Sequence, residues 1–96
     1  MNEPSPEEMV SATVHGRVQG VGFRWATRER AKSLELRGWV RNDPEGTVSL
    51  QAAGHPIALD ALHEFLRQGP PGADVVRVDW KPGFSIDAAM NFVIRR

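Results

Sequence analysis

Hydrophobic and polar positions change period several times along the chain, and each change marks an element. Val10, Ala12 and Val14 alternate with Ser11, Thr13 and His15, the period-two pattern of a half-buried strand. Three glycines then fall in the seven residues from Gly16 to Gly22, which read as a loop. Phe23, Ala26, Thr27, Ala31 and Leu34 recur at three- and four-residue spacing and predict an amphipathic helix directly after it. Gly38 to Asn42 is a short apolar strand, stopped by the tight-turn sequence Asp43-Pro44-Glu45-Gly46. Val48, Leu50 and Ala52 alternate with Thr47, Ser49 and Gln51, so a hairpin partner follows. Gly54-His55-Pro56 opens a second helix with Pro in its first turn, and Ala58, Leu59, Leu62, Phe65 and Leu66 form its apolar stripe. Gly69-Pro70-Pro71 ends that helix: Gly takes the left-handed cap and Pro cannot continue it. Val76, Val78 and Trp80 alternate with Arg77 and Asp79 in a further strand closed by Lys81-Pro82-Gly83. Phe92 and Ile94, alternating with Val93 and Arg95, give a last short strand.

The order is β-α-β-β-α-β with one strand appended. Two βαβ halves of that kind predict an α+β sandwich of the ferredoxin-like type, an antiparallel sheet with both helices on one face. Residues 1–9 read as a flexible acidic leader, and the folded domain is expected over residues 10–96. Composition agrees with one folded domain. Leu, Ile, Val and Phe supply 23 of 96 residues and the net charge is zero, which sets the chain apart from disordered sequences. The absence of Cys excludes disulfides, thiolate metal ligands and a cysteine nucleophile. The leader has no apolar run to make a signal peptide, and no stretch approaches ~18 consecutive apolar residues, so a soluble, cytoplasmic protein is expected.

Charge is distributed unevenly. From His15 to Arg41 stand seven bases (Arg17, Arg24, Arg28, Arg30, Lys32, Arg37 and Arg41) against two acids, Glu29 and Glu35; from Asn42 to Asp87 seven acids face three bases. In a chain with a pI near 6.8 this points to a local anion site rather than to a nucleic-acid surface, for which a pI above ~9 is usual. The loop between the first strand and the first helix is where such a site belongs. Glycines let successive backbone N–H groups converge, and a helix N-terminus adds positive potential. Arg24 follows within the first turn, and its planar guanidinium can hold a phosphate bidentately. The spacing Gly16-x3-Gly20-x-Gly22 matches neither the dinucleotide fingerprint nor a Walker loop. Glycine spacing alone leaves an anion cradle and an ordinary strand–helix turn both open.

Two longer segments add to this. Gly16-Arg-Val-Gln-Gly-Val-Gly-Phe-Arg24 and Gly38-Trp-Val-Arg-Asn-Asp-Pro-Glu-Gly-Thr-Val48 closely resemble the two signature segments of the acylphosphatase family. Gly69-Pro-Pro71 and Asn91-Phe-Val-Ile-Arg95 stand where that family has similar segments, so the resemblance runs from about Val10 to the C-terminus. It implies the same ferredoxin-like fold and hydrolysis of acyl phosphates to a carboxylate and inorganic phosphate, without metal or cofactor. It also implies that the backbone of Gly16, Arg17, Val18, Gln19, Gly20 and Val21, with the Arg24 guanidinium, holds the phosphoryl oxygens. Asn42 would then orient the attacking water. Phosphoryl transfer asks mainly for positioning and charge neutralisation, and a carboxylate leaves as a stable anion without a general acid. Without the resemblance, Asn42 before Asp-Pro-x-Gly also reads as turn chemistry. One departure stands out: the family usually places Gly between two apolar residues at the end of the first helix, and here the segment is Leu34-Glu35-Leu36.

The remaining candidates are weaker. Beyond its backbone, Gln19 reads as a structural or minor loop contact with no chemical role. Trp25, Trp39 and Trp80 are scattered over three elements and read as core and rim residues rather than a base-stacking platform. His15, His55 and His63 have no metal-binding spacing, and His15 near the loop would at most add positive potential. Ser11, Ser33, Ser49 and Ser85 carry no nucleophile signature. Asp43 and Glu45 read as solvated turn residues, since acids lining an anion site would oppose it. An RNA-binding module shares the βαββαβ order but needs aromatics on its central strands, and Thr47 to Ala53 contains none. A third reading is the front module of a larger carbamoyl-phosphate-handling protein, and the chain's end at Arg96 speaks against it. The expected partner is a small acyl phosphate, with no nucleic acid and no membrane, bound by a monomer.

Overall fold

The computed structural model describes residues 7–83 and 91–95. Seven elements follow one another: β1 (Glu8–Arg17), α1 (Phe23–Ser33), β2 (Arg37–Asn42), β3 (Val48–Gly54), α2 (Pro56–Gln68), β4 (Asp74–Pro82) and β5 (Phe92–Arg95). The strands form one sheet in the order β4-β1-β3-β2-β5. β1, β2, β3 and β4 pair antiparallel as expected, whereas the appended β5 lies parallel to β2, with Gly38 opposite Phe92 and Val40 opposite Ile94. The sheet is therefore mixed. β1 begins at Glu8, so Glu8 and Met9 of the expected leader pair with Gly54 and Ala53. The rest of the leader up to residue 6, and Ser85, lie outside the described residues.

Alternation along the strands sends one set of side chains to the helices. Val10, Ala12 and Val14 of β1, Val40 of β2 and Leu50 and Ala52 of β3 are buried against Phe23 and Ala31 of α1 and Leu59, Leu62 and Leu66 of α2. Burying a side chain of this size contributes about 1.5–3 kcal/mol, so these contacts dominate the stability of the sandwich. Ala58 and Phe65 of the expected α2 stripe pack at its margin, partly exposed. α2 starts where Pro56 predicts, and the His55 ring caps it by accepting a hydrogen bond from the Ile57 N–H at 3.1 Å.

Three local departures from the expected pattern have physical causes. Val76, expected on the buried side of β4, is 77% exposed. His15 pairs with Arg77 but Gly16 pairs with Val75, so Val76 is the extra residue of a bulge and Val75 takes the inward place. A Cβ on Gly16 would come within 2.1 Å of the Asp74 carbonyl oxygen, which is why glycine stands there. Gly69 ends α2 not in the left-handed helical region but at φ 72°, ψ 173°, a conformation open essentially to glycine alone. β4 runs through Pro82, which an edge strand tolerates because its missing N–H faces away from the sheet.

The end of α1 shows what replaces the family's usual glycine. Glu35 has φ 59°, the one positive φ outside glycine among the described residues. Its N–H bonds the Lys32 carbonyl at 3.0 Å and the Leu36 N–H bonds the Ala31 carbonyl at 2.9 Å, the two bonds of a Schellman cap. The helix does end where the departing residue stands.

Candidate active site

The loop from Val18 to Gly22 is pinned at both ends by apolar side chains. Val18 and Phe23 are buried, and Val21 packs partly against the same core, leaving Gly20 and Gly22 at the surface. Gly22 takes a left-handed conformation, φ 76° and ψ 22°, as the N-cap of α1, and contributes no side-chain cap. The first helical hydrogen bond runs from the Ala26 N–H to the Gly22 carbonyl at 3.0 Å, so the N–H groups of Phe23, Arg24 and Trp25 have no intrahelical acceptor. No acid stands in that first turn to claim them. Gly20 and Gly22 have open space where a Cβ would go; their positive φ, not crowding, demands glycine.

These residues face Asn42 across a cleft of about 180 Å³, lined by Val18, Gly20, Gly22, Phe23, Arg24, Trp25, Asn42 and Ile94. Loop, helix start, the end of β2 and the last strand all meet there. Of the residues the sequence singled out, Val18, Gly20, Arg24 and Asn42 are brought together. Gly16 and Arg17 are not: they form the paired end of β1, opposite Val75 and Asp74. Gln19 and Val21 flank the cleft without lining it. Gly22, Phe23, Trp25 and Ile94 line it and were not singled out as site residues. Trp25, 60% exposed, forms the rim beside Arg24. Among the described residues neither the Arg24 guanidinium nor the Asn42 amide is taken up by an ion pair or a side-chain hydrogen bond.

Asn42 is carried by the turn that joins β2 to β3. The Gly46 N–H donates to the Asp43 carbonyl at 3.1 Å and the Asp43 N–H to the Thr47 carbonyl at 2.9 Å, with Pro44 fixing the second position of the turn. Asp43 is not the solvated turn residue its neighbourhood suggested. It is 8% exposed, and its carboxylate accepts from the Thr47 hydroxyl at 2.7 Å, the Ser49 hydroxyl at 2.5 Å and the Arg41 Nε at 3.2 Å. Burial raises its pKa, but the bonds from Ser49, Thr47 and Arg41 outweigh this and hold it below the ordinary carboxylate value. The charge is directed into the turn, not at the cleft. Gln19 makes a structural contact, as its reading expected: its side-chain amide donates to the Asp43 carbonyl at 2.8 Å and the Thr47 carbonyl at 2.9 Å.

The other polar candidates lie elsewhere. His15 pairs with Asp79 at 2.9 Å on the sheet face away from the helices, next to Arg77. Trp39 is buried, with the Arg41 and Arg95 guanidinium groups 5.1 and 4.8 Å from its ring centroid, and Trp80 stacks on His63 with ring centroids 4.1 Å apart. Among the described residues no three His, Asp or Glu side chains gather as a metal site would require.

Known proteins match this arrangement across the chain. The family model described as acylphosphatase matches residues 10–94. A protein named acylphosphatase from Salinibacter ruber is 48% identical over 96 residues, covering 98% of this chain and 99% of that one. Among solved structures, an acylphosphatase from Coxiella burnetii superposes with a TM-score of 0.88 at 39% identity, covering 93% of each chain. The acylphosphatase from Bacillus subtilis does so with the same TM-score at 32% identity, covering 93% of this chain and 99% of that one. The family-model match over residues 10–94 and the 48% identity across nearly the whole of both chains place this chain in the acylphosphatase family.

Proposed function

We propose that this chain hydrolyses acyl phosphates through Arg24, the backbone of the Val18–Gly22 loop and the first turn of α1, and the side chain of Asn42. The loop and helix N–H groups and the Arg24 guanidinium neutralise the phosphoryl oxygens, whose charge must be matched in a transition state that needs little covalent help. The Asn42 amide holds a water on the opposite wall of the cleft, in line with the bond to be broken. The water oxygen bonds to phosphorus as the bridging P–O bond breaks, and the acyl oxygen departs as a carboxylate, leaving inorganic phosphate. A carboxylate is a weak base, so no side chain need protonate it. The observation that carries this reading is the meeting of Arg24, Gly20, Gly22 and Asn42 on one cleft. In this reading Gly16 and Arg17 set the end of β1 rather than touch phosphate.

The chemistry asks for no divalent ion, because the guanidinium and the amides supply the positive charge. The reading takes the protein as a cytoplasmic monomer; no helix among the described residues is long and apolar enough to cross a membrane. A base-stacking sheet gains no support, since β1 and β3 carry no Phe, Tyr or Trp.

Asn42→Ala separates this reading from a turn role. With benzoyl phosphate as substrate and EDTA present, kcat should fall by about 100-fold, the scale of one well-placed polar group. The affinity for inorganic phosphate, measured by calorimetry, should change little, because the cradle is intact. An unchanged kcat in a folded Asn42→Ala protein would refute the reading, as would activity that dies on chelation and returns with magnesium or zinc.

A further inference from the structure

We propose that Gln19 is the positioning residue that sets Asn42 against the phosphate cradle. The two halves of the cleft are carried on different pieces of chain. The cradle belongs to the loop between β1 and α1, and Asn42 belongs to the turn between β2 and β3. In-line attack requires the water and the phosphorus to be held to within a fraction of an ångström, yet neither half fixes the other through its own backbone hydrogen bonds. Gln19 links them. It sits in the loop between Val18 and Gly20, which line the cleft, and its Nε2 donates to the Asp43 and Thr47 carbonyls at 2.8 and 2.9 Å. Asp43 is the residue next to Asn42, and Thr47 closes the same turn through the Asp43 N–H.

The chemistry of the link is matched to its place. Both Nε2 protons are used, one on each carbonyl, so the amide plane and the turn are fixed relative to each other. The far side of the turn is gripped independently by the Asp43 carboxylate, through the Thr47 and Ser49 hydroxyls. The turn is thus rigid in itself, and Gln19 decides where that rigid unit stands relative to the loop. Glu in place of Gln would present a carboxylate to two carbonyl oxygens with no proton to give. Its protonated form would regain one donor.

This inference rests on the water-positioning reading of Asn42, and a double-mutant cycle tests both separately. Gln19→Ala should lower kcat on benzoyl phosphate by about tenfold or more, the effect of a small misplacement of the nucleophile, while the dissociation constant of inorganic phosphate stays within about threefold. Because Gln19 acts through Asn42, adding Gln19→Ala to Asn42→Ala should cost nothing further, leaving the double variant at the Asn42→Ala rate. Gln19→Glu, nearly the same size, should be poor at neutral pH and recover kcat relative to wild type as the pH is lowered; it also serves if Gln19→Ala fails to fold. Losses that multiply in the double variant would overturn the inference, as would a wild-type kcat in Gln19→Ala. So would phosphate affinity that falls in step with kcat, which would mean that Gln19 shapes the cradle instead. If Asn42→Ala alone retains kcat, the reading beneath falls and takes the inference with it; if Asn42→Ala loses kcat and Gln19→Ala does not, only the inference falls.

Discussion

A guanidinium and an ammonium carry the same charge, but only the guanidinium presents parallel N–H groups in one plane. Arg24→Lys should therefore be nearly as damaging as Arg24→Ala, each losing on the order of 3 kcal/mol of transition-state stabilisation in kcat/KM. A lysine variant retaining more than about a tenth of the wild-type value, a loss of only ~1.4 kcal/mol, would contradict the clamp. Thr27 offers a different test. It is wholly buried on α1, and its hydroxyl has no hydrogen-bond partner among the described residues. Thr27→Val keeps the shape and removes the unpaired group, so it should stabilise the fold by about 1 kcal/mol and raise Tm by several degrees in a thermal melt. The place of Arg24 beside the glycine loop was legible in the residues themselves, whereas Asn42 was singled out only through the family resemblance, since its neighbours also read as a turn. The partners of Asp43 and Gln19 were not legible. The hydroxyls that hold Asp43 lie four and six residues on, and the carbonyls that hold Gln19 lie 24 and 28 residues on, so both sets of contacts exist only once the hairpin is folded.

At the scale of elements, the end of α1 is the clearest site of local strain. Glu35 holds a left-handed conformation in a two-bond cap, where a Cβ is crowded and glycine is not. Glu35→Gly should stabilise the protein by up to about 1 kcal/mol in urea unfolding and leave kcat unchanged. A lower unfolding midpoint would show that the Glu35 side chain contributes more than its backbone strain costs. The departure Leu34-Glu35-Leu36 made this strain visible in the sequence. Hydrophobic period also gave both helices and every strand but β2, which showed instead as a short apolar run before a turn, because each of these elements buries one face. It failed at Val76, where the Gly16 bulge adds a residue to β4 and reverses the inward side. It could not orient β5 either: a parallel pair has no hairpin turn to announce it, and period two is the same in both directions.

For the molecule as a whole, the lowered pKa values of His63, Asp43 and Asp79 act on acid stability in the same direction. Burial, with Arg67 one turn on, holds the His63 pKa below 6.5, so between that value and the folded one the unfolded chain binds more protons. Stability should therefore decline as pH falls below about 6.5. The lowered pKa values of Asp43 and of Asp79, the latter held down by its hydrogen bonds from His15 and Arg77, contribute stability that is present above 3.8 and lost as pH drops through their folded values, giving a second, lower step. Urea midpoints measured across pH should show both steps in the wild type, and His63→Leu should abolish the first while keeping the second. Inorganic phosphate, held by the cradle, should raise Tm in proportion to the logarithm of its concentration above Kd and inhibit competitively; Arg24→Ala should lose both effects. β5 also governs how the molecule comes into being. The cleft takes its walls from residues near 20, near 42 and at 94, and β5 covers the edge of the strand that carries Asn42. On the ribosome, at about 5–20 residues per second, that edge stays unpaired and open to wrong strands until residues 92–95 have cleared the exit tunnel. A nascent chain can therefore build most of the sandwich before it can build the catalyst.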